Sequence, residues 1–429
     1  MEILLATVAL AAMFALILLR VPIGISMAAV GIVGYALLDK WGPAMSIATT
    51  EVATVITNVD LAVIPLFLLM GNFANASGVS DELYDVANSI LGRFRGGLAM
   101  ATVGGCGLFG AICGSSLATT ATFGRIALPQ MRDRGYSPKL TAGCIAAGGN
   151  LGSMIPPSIV LVIYAIMAEQ YIIDLFWAAI IPALILITLF LITISVYVRI
   201  YPAEGPSGEK RSLWEIGRTI LRSWCAVIMV AAIAFGIYGG VFTVNEAAAL
   251  GAILAIIMAF VRRRMTWPAF WSALSDTAAS TAMIYTLIIG ARIFNYFIVV
   301  SHLPDHLTEV LLNSGLSNIL FFIILTIIYI ILGSLFDTIA AMIITLPFIL
   351  PIILDMGYSP VWWGIINLAI VEIGMITPPI GMNVFVLNSV VQEVPLATIF
   401  KGIVPFLFAS LTTLVILYIF PSLSLVLVK

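Results

Sequence analysis

NLGSMIPPSIV, residues 150–160, sets two adjacent prolines inside a long apolar run, and EIGMITPPIGM, residues 372–382, repeats the pattern in nearly the same letters. A proline in a helix interior removes a hydrogen bond and clashes with the preceding turn, at a cost of about 3 kcal/mol. The two runs stand 222 residues apart, and the flanking chain matches at the same offset. LPQMRDRGYSP (128–138) lies on LPIILDMGYSP (350–360), Gly152 on Gly374, and Ser115 on Asp337. Several matches at one gap-free offset indicate an internal duplication. The prolines therefore read as paired breaks in two related helices.

Of the 429 residues, 62% are hydrophobic and 9% charged, against about 25% charged in a soluble domain. Apolar segments fall near 3–19, 22–38, 59–77, 97–131, 140–170, 172–198, 224–240, 246–261, 272–300, 317–354, 360–391 and 402–425. Many of them reach the ~20 residues that cross a bilayer. The chain reads as an all-α polytopic membrane protein, a single transmembrane unit over 1–429. The net charge of −2 and the lack of a basic tail or phosphate loop give no sign of nucleic-acid binding. Cys106, Cys113, Cys144 and Cys225 lie in apolar surroundings without metal-like spacing and read as packing residues. His302 and His306 share a short polar loop and suggest no metal site. Segment 3–19 lacks a basic leader and a small-residue cleavage site, so it reads as a retained first helix.

Two segments are too long for one simple crossing. Segment 97–131 has Arg93 and Arg95 before it and Arg132, Arg134 and Lys139 after it, with the breakable centre GAICGSS (110–116). Basic residues favour the cytoplasmic side, so this segment reads as a re-entrant hairpin entered from the cytoplasm. Segment 317–354 breaks at GSLFDT (333–338) and has no basic flanks, so it reads as a hairpin entered from the opposite side. With the N-terminus outside, fifteen of the 19 Lys and Arg, Lys210 and Arg211 included, fall on the cytoplasmic side. Lys40 and Lys429 fall outside, and Arg125 and Arg292 remain within apolar segments. The expected organisation is a first repeat over 59–200 (hairpin 97–131, broken helix 140–170), a linker with scaffold helices over 201–271, and a second, inverted repeat over 272–425 (hairpin 317–354, broken helix 360–391). Polar, amphipathic connectors lie at 41–57, 79–95, 200–222 and 302–316.

Inverted repeats with paired broken helices are the pattern of a secondary transporter with its site near the bilayer midplane. At each break, freed carbonyls can hold a hard cation such as Na⁺, and helix N-termini can hold an anion. We pair CGSS (113–116) with NLGS (150–153), and FDT (336–338) with EIGMIT (372–377). The expected Na⁺ positions are Ser115, Ser116, Asn150, Gly152, Asp337, Thr338, Gly374 and Thr377, forming at least two sites. The expected substrate positions are Ser115, Arg125, Ser153, Arg292 and Thr377. Two roles stand for Asp337, charge balance for a cation or a cap at the hairpin tip. Glu372 either orients its loop or bonds to scaffold helices, and Glu246 reads as a helix cap. Arg125 and Arg292 have forks suited to a carboxylate or sulfonate, or they snorkel or pair with acids. Trp41, Trp177, Trp267, Trp362 and Trp363 read as interface anchors. A membrane-embedded enzyme would need a catalytic group with a partner, and no serine–histidine or metal motif accompanies Asp337 and Glu372, so no enzymatic activity is expected.

RVPIGISM (20–27), IPLFLLMGNFA (64–74), FGAICGSSLATTATFG (109–124), IPPSIVLVIYA (155–165), GIYGGVFTVNEAAA (236–249) and EIGMITPPIGMNVFV (372–386) resemble the large membrane subunit of TRAP (tripartite ATP-independent periplasmic) transporters. The resemblance runs from about residue 20 to the C-terminus. It implies an elevator-type, Na⁺-coupled importer of organic anions in a bacterial inner membrane, with the N-terminus periplasmic. It also implies a small four-helix membrane subunit and a soluble periplasmic substrate-binding protein that delivers the ligand. The hairpins and broken helices would form the moving domain and the other helices the scaffold. A stand-alone ion-coupled transporter of the same superfamily, working without a binding protein, is the alternative. The chain departs from the family pattern at Thr119 and Thr120, where an acidic residue is common. It departs again at Arg125 and Arg292, where small or apolar residues are commoner.

Overall fold

The structure, a computed structural model, describes residues 2–206, 208, 212–313 and 317–428, so Lys210, Arg211 and Lys429 of the charge argument lie outside it. The described residues form helices and connecting turns, with no strand among them. In chain order the helices are α1 (Glu2–Leu18), α2 (Ile23–Leu38), α3 (Trp41–Thr57), α4 (Val63–Ser77), α5 (Val79–Leu91), α6 (Gly97–Cys113) and α7 (Ser116–Asp133). They continue with α8 (Pro138–Met154), α9 (Ile159–Met167), α10 (Ile172–Ile200), α11 (Leu213–Arg222), α12 (Trp224–Tyr238), α13 (Val244–Val261) and α14 (Trp267–Val300). The last are α15 (Leu303–Asn313), α16 (Asn318–Leu335), α17 (Thr338–Asp355), α18 (Pro360–Met375), α19 (Met382–Val390), α20 (Leu396–Ile419) and α21 (Ser422–Leu425). Among the described residues, 7 helices are long and apolar enough to cross a membrane, or up to 9 if each bent pair is one span.

Both long apolar segments break where expected. The first hairpin turns at Gly114, whose φ of 63° is left-handed and suits glycine. Ser115 then caps α7, its hydroxyl accepting from the Ala118 amide at 3.4 Å. The second hairpin turns through Phe336 in extended backbone, which needs no glycine. There the Asp337 carboxylate caps α17 by accepting from the Ala340 amide at 3.2 Å. The proline runs break their helices as well: α8 and α9 meet at 43°, and residues 376–381 separate α18 from α19. Pro156–Pro157 and Pro378–Pro379 are both cis.

Helix boundaries recur at the offset seen in the sequence. α7 and α17 begin 222 residues apart, as do α8 and α18, and α1 and α12. The correspondence thus extends to α1, and the region 41–77, divided into α3, a 3₁₀ turn at Val59–Ala62 and α4, corresponds to the single α14. The connectors at 41–57, 79–95, 200–222 and 302–316 contain α3, α5, α11 and α15. α11 has no buried residue and meets α12 at 76°.

The main helix contacts pair neighbours closely. α2 lies along α14 and α4 along α13, while α6, α7 and α20 pack on α8, and α16 packs on α18. Small residues allow the closest approaches. A Cβ at Gly110 would lie 2.7 Å from the Gly152 Cα, and one at Gly374 would lie 2.8 Å from the Gly333 Cα. Each hairpin is thereby pressed against the broken helix paired with it.

The tryptophans divide. Trp41 and Trp267 are exposed, as interface anchors are, and Trp177 is half-buried against Tyr238. Trp362 and Trp363 correct the anchor reading, being 1% and 0% exposed. Their helix, α18, is enclosed by α16 and α20, where Trp362 donates its indole N–H to the Leu417 carbonyl at 3.1 Å and Trp363 packs on Tyr329. Glu246 does cap its helix: it accepts from the Thr243 amide at 2.8 Å, while the Thr243 hydroxyl accepts from the Glu246 amide.

Gly110→Ala should cost about 1–3 kcal/mol, the usual range for overpacking, because its new methyl meets the Gly152 backbone. Gly217→Ala, with nothing within 4 Å, should leave stability unchanged or raise it by up to about 1 kcal/mol. Thermal unfolding of the two purified variants in detergent checks the contrast.

Candidate functional site

The two hairpin tips meet at one cavity. Ser115 and Ser116 line it from the first tip and Asp337 and Thr338 from the second, with Ile159 and Val160 from the start of α9. Leu68 and Asn72 of α4 and Ser280, Met283 and Ile284 of α14 close the other side. Its volume is about 270 Å³, at the lower edge of the roughly 300–1,000 Å³ typical of small-molecule sites. The N-termini of α7, α9 and α17 all reach this space, bringing partial positive charge suited to an anion. Asp337 supplies a carboxylate that has no basic partner among the described residues. One wall can thus hold a small cation while three helix ends hold an anion beside it.

Behind the tips lies a buried polar cluster that ties the two halves together. The Asn150 amide donates to the Glu372 carbonyl at 2.8 Å and its oxygen accepts from the Asn383 amide at 2.9 Å. The Thr338 hydroxyl donates to Glu372 Oε1 at 2.8 Å, and the hydroxyls of Ser116 and Ser153 face the same carboxyl group. Glu372 therefore bonds to the second hairpin rather than to α4 or α14. The Ser153 hydroxyl donates to the Asn150 carbonyl at 3.1 Å. Backbone groups freed by the breaks also find the hairpins: the Ile159 amide donates to the Gly114 carbonyl at 3.4 Å, and the Gly381 amide to the Ser334 carbonyl at 3.1 Å.

The residues singled out in the sequence fall into three places. Ser115, Ser116, Asp337 and Thr338 share the cavity. Asn150 and Ser153 lie in the cluster behind it, while Gly152 and Gly374 sit at the close contacts between hairpin and broken helix. Thr377 stands at the end of α18, where its hydroxyl donates to the Ile373 carbonyl at 2.6 Å. The two arginines are not in the cavity. Arg292 pairs with Glu51 at 3.5 Å, the same carboxylate that accepts from the Tyr296 hydroxyl at 3.1 Å, and it lines a second cavity with Asn58, Asp60, Glu169 and Asn245. Arg125 is exposed on α7. Sequence reasoning missed Asn72, Ser280 and Asn383. The asparagines were legible only as single amides within IPLFLLMGNFA and PPIGMNVF, and Ser280 stands in a run of small residues with no periodic signal.

Paired hairpins meeting paired broken helices, with a polar cavity at their junction and apolar helices around them, define a multi-pass membrane protein of transporter type. The chain matches the family model "Tripartite ATP-independent periplasmic transporter, DctM component" over residues 10–423, and it belongs to that family. It is 35% identical over 368 residues to the C4-dicarboxylate TRAP transporter large permease protein DctM of Pseudomonas aeruginosa, covering 86% of each chain. It is 33% identical to the isethionate TRAP transporter permease protein DctMQ of Oleidesulfovibrio alaskensis, covering 86% of this chain and 58% of that one. With the sialic acid TRAP transporter large permease protein SiaM of Vibrio cholerae it shares 27% identity over 95% of this chain and 94% of that one. These relatives are named as permeases of transporters, not as enzymes. The fold is similar to the crystal structure of the Alcanivorax borkumensis YdaH transporter, with a TM-score of 0.62 at 15% identity over 90% of each chain.

Asn150→Leu strips the Glu372 carbonyl and the Asn383 amide of their partner in a buried place. Each orphaned group costs about 1–3 kcal/mol, so the variant should unfold at a clearly lower temperature than Ser389→Ala, whose hydroxyl is exposed. Thermal unfolding in detergent measures both.

Proposed function

We propose that this chain is the large membrane subunit of a Na⁺-coupled symporter that imports a small organic anion. The observation that carries the reading is the cavity between the hairpin tips, where an unpaired carboxylate and three helix N-termini stand together. Asp337 balances the charge of a bound Na⁺, with Ser115, Ser116, Asn150, Gly152, Thr338, Gly374 and Thr377 supplying hydroxyl and backbone oxygens at the tips and breaks. The anion rests on the helix ends beside Ser115, with Ser153 and Thr377 behind the tips. A cation adjoining an anion lowers the cost of taking either out of water, and that mutual dependence is the physical basis of coupled transport.

The partners follow from the family. A periplasmic substrate-binding protein delivers the anion, and a small membrane subunit of four helices packs against α1–α4 and α12–α14. The 58% coverage of the DctMQ relative supports this, since that permease holds a further stretch beyond the part shared with this chain. The N-terminus lies on the periplasmic side of a bacterial inner membrane, and the repeats are inverted about the bilayer midplane. The hairpins and broken helices, packed tightly on one another, slide as one body against the remaining helices in an elevator motion. C4-dicarboxylates, isethionate and sialic acid are the ligands in the relatives' names, and a carboxylate or sulfonate is the class we assign to this chain.

Liposomes holding this chain with its small subunit should take up substrate only when binding protein and a Na⁺ gradient are both supplied. Uptake by the chain alone would replace this reading with the stand-alone transporter. Asp337→Asn should raise the Na⁺ concentration for half-maximal uptake by about tenfold or more, equivalent to losing roughly 1.4 kcal/mol of ion attraction. An unchanged Na⁺ titration would remove Asp337 from the cation site.

A further inference from the structure

From the cavity a short seam of polar side chains runs along the α4–α14 wall and reaches the first hairpin at Thr122. Asn72, which lines the cavity, donates to the Thr277 hydroxyl at 2.8 Å. One turn along α4, the Asn75 oxygen accepts from Thr122 at 3.4 Å and from Ser80 at 3.3 Å. This line of amides and hydroxyls is a place where water or a polar solute can be tolerated.

Arg125 stands on that seam. Ala118 lines the cavity, and Thr122 and Arg125 follow it by one and two helical turns on the same face of α7. Arg125 is therefore roughly 10 Å from the cavity wall toward the charged end of the helix. Its side chain is exposed and takes part in no ion pair among the described residues. An unpaired guanidinium turned toward hydrocarbon is costly, whereas one turned toward water is not. Arg132, two turns further along α7, pairs with Glu393, and Arg262 and Arg264 pair with Glu82 and Asp81.

We propose that Arg125 is an anion-binding step on the cytoplasmic route out of the cavity, a second place for the carboxylate or sulfonate that leaves the hairpin tips. This rests on the transport reading above and adds a specificity residue outside its binding cavity. The planar fork takes an oxyanion in two parallel hydrogen bonds, and its charge raises the local concentration of anions over cations in the seam. A release-side residue governs turnover rather than capture, because the substrate meets it only after being carried inward.

The test reads the seam directly with charged thiol reagents. Cys113 lines the cavity and the other three native cysteines are buried, so the rate at a cysteine placed at Ala121, one turn from Arg125, is read against that of the chain with native cysteines alone. In inside-out vesicles, Ala121→Cys should react with 2-sulfonatoethyl methanethiosulfonate faster than with its trimethylammonium counterpart. Adding Arg125→Gln should lower that anion-to-cation rate ratio by about tenfold, and Arg125→Lys should keep most of it. Reaction no faster than the chain with native cysteines alone would show a closed seam and overturn the proposal. If the effect of Arg125→Gln on that ratio vanishes when phosphatidylglycerol replaces phosphatidylcholine, Arg125 belongs to a lipid phosphate, which also overturns the proposal; the surface charge of the lipid shifts both ratios alike and cancels in this comparison. In transport, Arg125→Gln should lower the maximal rate about tenfold and leave the half-saturating concentration of binding protein unchanged; a change in half-saturation alone would contradict a release role. The reagent rates need no transport, so they stand even if the tripartite reading fails.

Discussion

Backbone N–H and C=O groups have no water to turn to inside a bilayer, so every break in a membrane helix needs a partner within the protein. This chain breaks four elements near one place, and the breaks answer one another. Gly114 and Ser334, at or near the ends of the hairpins' first helices, accept from the amides of Ile159 and Gly381 on the far side of the proline runs. Ser115, Ser158 and Asp337 turn their own side chains back to cap α7, α9 and α17. The irregular backbone at the tips and breaks is thus satisfied within the protein, each break supplying the partner another needs.

The same constraint explains the distribution of small residues. A hairpin tip can reach a helix break only if the two helices approach backbone to backbone, and Gly110 against Gly152 and Gly333 against Gly374 provide that approach. In a membrane, association depends on such close packing because lipid is as apolar as leucine. Polar bonds then fix the register: Asn150 to Glu372 and Asn383, and Thr338 to Glu372. The hairpins and broken helices are thus fixed to one another, and they meet α4 and α14 across the cavity.

Much of this was legible because membrane architecture is written in periodic and breaking residues. The hairpin tips at Gly114–Ser115 and Phe336–Asp337 and both proline breaks were located from sequence, as was the capping role of Glu246. The reading failed for Trp362 and Trp363, because an aromatic near a segment end looks the same whether it meets the bilayer surface or a neighbouring helix. It also could not separate Arg125 from Arg292. Both are single cations in apolar runs, and only the placement of Glu51, distant in sequence, distinguishes the paired arginine from the free one. Asn383 escaped for a similar reason, since its partner Asn150 lies far away in the chain.

Asn150 and Glu372 occupy equivalent positions at the offset of 222, yet they touch each other. A position that contacts its own counterpart is the one place where a duplicated chain cannot treat its halves as independent. A glutamate at position 150 would set its carboxylate against the Glu372 backbone carbonyl, two acceptors with no proton between them, whereas asparagine has an N–H to donate. The present pair settles that conflict by difference. Divergence between the halves at this point is therefore a requirement of their meeting, since one side must donate where the other accepts.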